Sequence, residues 1–164
     1  MPLTMAYLAL GSNLGERLKQ MRSALEILEA DGNVQIVRAS PVYQNRAIGM
    51  GEADPFLNAV VKVKTSLSPE ALLDLCLSTE NKLGRVRTDG WSPRTIDIDV
   101  LLYGEIDMDT ERLRLPHPAI AERDFVVQPL LDIAPDLEIN GQSLQSIKDA
   151  LPVFELEEVD AVLW

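Results

Sequence analysis

Residues 96–103, Ile-Asp-Ile-Asp-Val-Leu-Leu-Tyr, constrain this chain more than any other stretch. A short apolar run that follows loop-type residues reads as a buried strand. Side chains alternate across a strand, so Asp97 and Asp99 share one face, with Cα atoms about 6.6 Å apart. Two carboxylates set into an apolar strand are costly unless something cationic meets them. A divalent metal, or a pair of them, meets that need. Arg85, Arg87 and Arg94 stand just upstream, and the arginine fork suits phosphate oxygens. Gly84, Gly90 and Pro93 punctuate this loop, and Trp91 could shield a closed site. The stretch as a whole points to a magnesium–nucleotide site.

The rest of the chain supplies a scaffold. Met5 to Leu10 reads as a first strand, ending in the turn residues Gly11-Ser-Asn-Leu-Gly15. Asn13 with Glu16 three residues on resembles a capping box, opening a helix with Leu18, Met21, Leu25 and Leu28 on one face. Val34 to Ala39 is a second strand. Residues 40–55 show no clear period and read as a long loop, which in a small domain is commonly functional. Phe56 to Lys64 is a third strand. Ser68-Pro69-Glu70 is a helix start, and that helix stops at Gly84. Ile96 to Tyr103 is the fourth strand. The order β-α-β-β-α-β predicts an α+β, ferredoxin-like core with an antiparallel sheet, helices packed on it and C-terminal additions. Two short helical stretches cover roughly 118–133, and the acidic end from Glu155 to Trp164 is expected to be peripheral. With 164 residues and no visible linker, residues 1–164 form one domain.

Composition narrows the function. The net charge is −11, which argues against a nucleic-acid partner across the general surface. Seven of the fifteen basic residues fall between positions 82 and 123. A local basic site on an acidic protein suits a small phosphorylated ligand. Cys76 is the one cysteine. It sits at an apolar helix position and reads as core, and a lone thiol suits the reducing cytoplasm. No apolar run reaches the length of a membrane span.

Several further residues could take part. His117 is the one histidine. With Arg123 six residues on, it could donate to a phosphate or a leaving group. Asn58 carries both a donor and an acceptor, which suits the edge of a heterocycle. Phe56 and Phe125 could sandwich a flat ring, although spacing alone cannot bring them together. The chain has no Gly-x-x-x-x-Gly-Lys-Ser/Thr loop, no Gly-x-Gly-x-x-Gly and no Cys/His cluster. On residues alone, another two-metal phosphoryl enzyme or a non-catalytic ferredoxin-like module also fits.

Taken together, these segments resemble the 6-hydroxymethyl-7,8-dihydropterin pyrophosphokinase family. The likeness rests on Tyr7-Leu-Ala-Leu-Gly-Ser-Asn-Leu-Gly15, Phe56-Leu-Asn58, Glu80 with Gly84-Arg-Val-Arg87, Trp91-Ser-Pro-Arg-Thr-Ile-Asp-Ile-Asp-Val-Leu101, Leu115-Pro-His117 and Arg123-Asp-Phe125. It implies transfer of pyrophosphate from ATP to the hydroxymethyl group of the pterin, with release of AMP. It implies two Mg²⁺ ions held by Asp97 and Asp99, and a mobile catalytic loop carrying Arg85, Trp91 and Arg94. Glu80, Arg87, Ile98, His117 and Arg123 would lie at ATP. Asn45, Ile48, Phe56, Asn58 and Phe125 would form the pterin pocket. A monomer without nucleic-acid or membrane partners is expected. Thr88-Asp-Gly90 makes the segment before Trp91 short for this family, and Pro118 stands where some relatives carry Tyr.

Overall fold

The apolar alternation noted above folds into one main sheet with helices on both faces. A computed structural model describes residues 3–12, 16–45, 56–84, 96–151 and 156–164, with the backbone alone at Asn45. Strand β1 (Thr4–Ser12) is followed by helix α1 (Arg17–Ala30), strands β2 (Val34–Ala39), β3 (Val42–Asn45) and β4 (Leu57–Thr65), and helix α2 (Pro69–Lys82). Strand β5 (Asp97–Tyr103) precedes a small hairpin of β6 (Met108–Asp109) and β7 (Arg114–Leu115). A 3-10 turn (Ile120–Glu122) leads into helix α3 (Asp124–Ile133). A second hairpin, β8 (Glu138–Ile139) and β9 (Gln142–Ser143), precedes helix α4 (Leu144–Ala150) and strand β10 (Leu156–Val159).

Strand β1 lies between β4 and β5 and is antiparallel to both. Strands β2 and β3 pair in turn with the far edge of β4. Pro41 interrupts them because it has no N–H to give the ladder. Ser40 bridges the break: its N–H donates to the Val60 carbonyl at 2.9 Å, and its Oγ accepts from the Val60 N–H at 2.9 Å. Helix α1 thus links strands on either side of β4, and α2 links strands on either side of β1.

Strand parity sorts the side chains into two cores. Leu8 and Leu10 of β1, Val61 and Val63 of β4, and Ile98 and Val100 of β5 face Met21, Leu25 and Leu28 of α1 and Leu72 and Cys76 of α2. Tyr7, Val60 and Leu101 point the other way, against Val126, Val127 and Leu130 of α3 and Leu144 and Ile147 of α4. Asp99 stands opposite Ala9 and Asp97 opposite Gly11, so both carboxylates lie on the α3 face. Cys76 is buried as expected, and burial pushes its thiol pKa up.

The helix start at Ser68 is as expected: its Oγ accepts from the Ala71 N–H at 3.2 Å, with Pro69 in the first turn. Four expectations need correction. Gly11 and Ser12 continue β1 instead of turning, because β4 offers them partners in Asn58 and Leu57. Glu16 is the N-cap of α1 and makes no side-chain cap bond, so no capping box forms around it; Asn13 lies outside the described residues. The long loop begins later than position 40, since Val42–Asn45 is a strand held by β4 and β10. The acidic tail is not peripheral: β10 pairs with β3, and Leu163 is 3% exposed in the first core. No helix among the described residues is long and apolar enough to cross a membrane.

Candidate active site

One row of residues crosses four strands at the end of the sheet. Asp97 of β5 stands opposite Gly11 of β1, Gly11 opposite Asn58 of β4, and Asn58 opposite Tyr43 of β3. Directly opposed residues in an antiparallel pair share a face, so the row faces α3. The residues opposite the two carboxylates, Gly11 and Ala9, are the smallest available. A Cβ at Gly11 would lie 3.1 Å from Asn58 Oδ1 and 3.7 Å from the Phe56 ring. The absent side chain therefore leaves room above the row. A cavity of about 300 Å³ occupies it, lined by Phe56, Asn58, Asp97, Asp99, Arg123 and Phe125 among others.

Helix α3 supplies the cavity's opposite wall. Arg123 is its N-cap and Phe125 lies in its first turn. The Arg123 guanidinium sits 5.7 Å from the Phe125 ring centroid, a cation–π contact. Its Nη1 is 3.8 Å from Asp99 Oδ2, with side chains 40% and 45% exposed. A pair this long and exposed contributes little to stability, so Asp99 stays available to a stronger cation.

A second cavity, of about 420 Å³, wraps the outer edge of β5 between α2 and the β6–β7 hairpin. Its lining includes Glu80, Ile98, Arg112, Arg114 and His117, and again Asp97 and Asp99. As the edge strand, β5 presents an outward amide at Ile98 that needs an acceptor. Glu80, 3% exposed on α2, provides one: its Oε2 accepts from the Ile98 N–H at 2.8 Å. That bond falls between the two aspartates and ties their strand to the helix below. His117 is equally well fixed. Its backbone N–H donates to the Leu101 carbonyl at 2.9 Å, and its ring Nδ1 accepts from the Ala119 backbone N–H at 3.1 Å. In the neutral ring the proton must then sit on Nε2, which becomes a donor. Burial lowers the His117 pKa below the usual 6.5; the Asp99 carboxylate opposes that shift and Arg123 adds to it.

The structure thus brings together Phe56, Asn58, Asp97, Asp99, Arg123 and Phe125 around one cavity, and Glu80, Ile98, His117, Asp97 and Asp99 around the other. Asn45 ends β3, paired with Leu156. Ile48, Arg85, Arg87, Trp91 and Arg94 lie outside the described residues. Sequence reasoning missed Ala9 and Gly11 at the first cavity and Leu73, Leu77, Val100, Arg112 and Arg114 at the second. A glycine inside a strand marks close approach of a ligand or backbone, and that signal was available for Gly11. Arg112 and Arg114 are engaged at the surface, Arg112 with Asp74 and Arg114 with Asp109 at 3.2 Å.

Among the described residues no group of three or more His, Cys, Asp or Glu is arranged to hold an ion. Two half-buried carboxylates on one face match what Mg²⁺ takes: one or two carboxylates, with substrate phosphates and water completing the shell.

A family model described as 7,8-dihydro-6-hydroxymethylpterin-pyrophosphokinase (HPPK) matches residues 7–135. A 2-amino-4-hydroxy-6-hydroxymethyldihydropteridine pyrophosphokinase of Methylorubrum extorquens is 44% identical over 158 residues, covering 96% of this chain and 100% of that protein. A Bacillus subtilis protein of the same name is 39% identical, over 92% of this chain and 90% of its own length. Among solved structures, an HPPK-DHPS in complex with substrates superposes with a TM-score of 0.72 at 14% identity, over 92% of this chain. The chain spans 43% of that protein, and at this identity the likeness shows the fold alone.

Proposed function

Because the chain belongs to the 7,8-dihydro-6-hydroxymethylpterin-pyrophosphokinase family, we propose a division of labour between its two cavities in the reaction of that family. The protein transfers pyrophosphate from ATP to 6-hydroxymethyl-7,8-dihydropterin, a step of folate biosynthesis. The observation that carries the assignment is that Asp97 and Asp99 line both cavities. A group passed between two bound substrates must travel through that junction.

The first cavity takes the pterin. Phe56 and Phe125 stack on its ring, and Asn58 pairs with its edge. The second takes ATP, with Glu80 and Ile98 in its wall and the His117 Nε2–H as a donor to phosphate oxygens, while Arg123 meets the phosphates from the first cavity, where the two adjoin. On the family resemblance, Asn45 and Ile48 complete the pterin pocket, and Arg85, Arg87, Trp91 and Arg94 act on the phosphates. The pterin hydroxyl oxygen attacks the β-phosphorus as the bond from that phosphorus to the α,β-bridging oxygen breaks. AMP leaves with that oxygen, and Asp97 orients the hydroxyl or accepts its proton. When bound by Asp97 and Asp99, two Mg²⁺ ions supply charge neutralisation at the phosphate oxygens. The protein's own groups do the positioning, which together with electrostatic stabilisation accounts for nearly all of the catalysis in phosphoryl transfer.

We assign the fold to the ferredoxin-like βαββαβ class with C-terminal additions. The supporting features are the strand order β5-β1-β4-β2, its antiparallel pairs, and α1 and α2 on one face. We also take residues 1–164 as one domain acting as a monomer, since one chain lines both cavities. The lone buried thiol of Cys76 supports a cytoplasmic location.

The test is AMP release from ATP and Mg²⁺ with and without 6-hydroxymethyl-7,8-dihydropterin. AMP formed only with the pterin, in amounts matching the pyrophosphorylated product, supports the assignment. ADP or free phosphate as the nucleotide reaction's product contradicts it.

A further inference from the structure

Tyr43 closes the cross-strand row that starts at Asp97, yet it lines neither substrate cavity. It is 7% exposed on β3, and its hydroxyl donates to Asp132 Oδ2 on α3. The other oxygen, Asp132 Oδ1, accepts from Gln128 Nε2 at 3.0 Å. Burial, and then the neighbouring Asp132 carboxylate, push the Tyr43 phenol pKa up, so the hydroxyl keeps the proton it donates.

The location gives this triad its meaning. On α3, Phe125, Gln128 and Asp132 follow at i, i+3 and i+7, which places them along one stripe of the helix. Pro129 lies within that stretch and has no N–H for the Phe125 carbonyl, so the helix lacks one rung between the cavity and Asp132. The Gln128–Asp132 bond spans this gap. On the sheet side, Tyr43 is the register partner of Asn58, and Gln44 is the partner of Leu57. One polar lock therefore joins the strand edge that carries Asn58 to the helix that carries Phe125. These are opposite walls of the first cavity.

We propose that Tyr43 and Asp132 are positioning residues that set the separation of the two pterin walls, and so govern pterin affinity without touching either substrate. This rests on the first cavity being the pterin site. A flat ring between two aromatic faces tolerates little change in their spacing, whereas the nucleotide cavity lies across β5, on the far side of β1 from this lock. The effect is accordingly selective for one substrate.

The test is direct binding of ATP with Mg²⁺, and of the pterin with Mg²⁺ and a saturating non-hydrolysable ATP analogue, to the wild-type chain and to Tyr43→Phe, Asp132→Ala, Asp132→Asn and the Tyr43→Phe/Asp132→Ala double variant. The expected result is a roughly tenfold weaker pterin Kd for Tyr43→Phe and for Asp132→Ala, the scale of one charge-assisted hydrogen bond. ATP affinity stays within about twofold, and the double variant is no worse than either single one, as for residues that act as one unit. Asp132→Asn, which still accepts from the tyrosine, retains pterin binding near that of the wild type. Unchanged pterin affinity in Tyr43→Phe overturns the proposal. So does equal weakening of both substrates, which marks a general packing role. If the wild-type chain binds no pterin even with that analogue bound, the functional assignment falls and this inference with it.

Discussion

Gly11 lies between Asp97 and Asn58 in the row beneath the first cavity, where an added methyl would come within 3.1 Å of Asn58 Oδ1. Gly11→Ala is expected to raise the KM for the pterin about tenfold, as overpacking of a close-fitted site does, while the KM for ATP changes less. Steady-state kinetics with each substrate varied would show this; a larger effect on ATP would contradict it. His117 offers a second check. Its folded pKa lies below the unfolded 6.5, so the unfolded chain binds more protons in the interval between the two. The His117 contribution to stability is therefore full above 6.5 and is lost as pH falls through that interval. An NMR titration of the ligand-free protein should place the imidazole midpoint below 6.5; a midpoint above it refutes the burial argument. At this scale, Asp97 and Asp99 were legible because two charges in an apolar strand need an explanation. The bond from Ile98 to Glu80 was not, because it depends on α2 packing beneath β5.

Among the elements, the long ones declared themselves through local chemistry. The α2 helix carries its N-cap Ser68, its first-turn Pro69 and a terminating Gly84 at φ +100, and all three act within a few residues. Strands β3 and β10 carry no such signal. Each has four residues, and Leu156 finds its partner Asn45 more than a hundred positions away. Only the assembled sheet makes them strands. The same distance hid Leu163, which lies beyond β10 in an acidic tail and still enters the core of α1 and α2. Leu163→Ala should therefore cost about 2–4 kcal/mol, the usual range for a buried leucine, read from urea unfolding. A change within about 0.5 kcal/mol, typical of surface sites, would mean that the tail does not pack.

The molecule as a whole buries a core on each face of its sheet and opens its two cavities at the β5 end. Helices α1 and α2 bury one face, while α3 and α4 cover the other and leave a cavity above the Asp97 row. On a chain of net charge −11, Arg112, Arg114 and His117 line the second cavity beside Glu80, Asp97, Asp99 and Glu111, and Arg123 lines the first. The order of strands and helices could be read from periodicity. That two cavities exist and meet at one pair of carboxylates could not, since it depends on α3 crossing the sheet and on the hairpin folding back over β5. The most direct test of that junction is pterin-dependent AMP formation by the wild-type chain, Asp97→Ala and Asp99→Ala, with circular dichroism and thermal melts of all three. Each variant is expected to keep its fold and lose turnover by about a thousandfold or more, the scale on which removing key transition-state stabilisation acts. A folded Asp97→Ala or Asp99→Ala variant that turns over within about tenfold of the wild type would contradict this expectation.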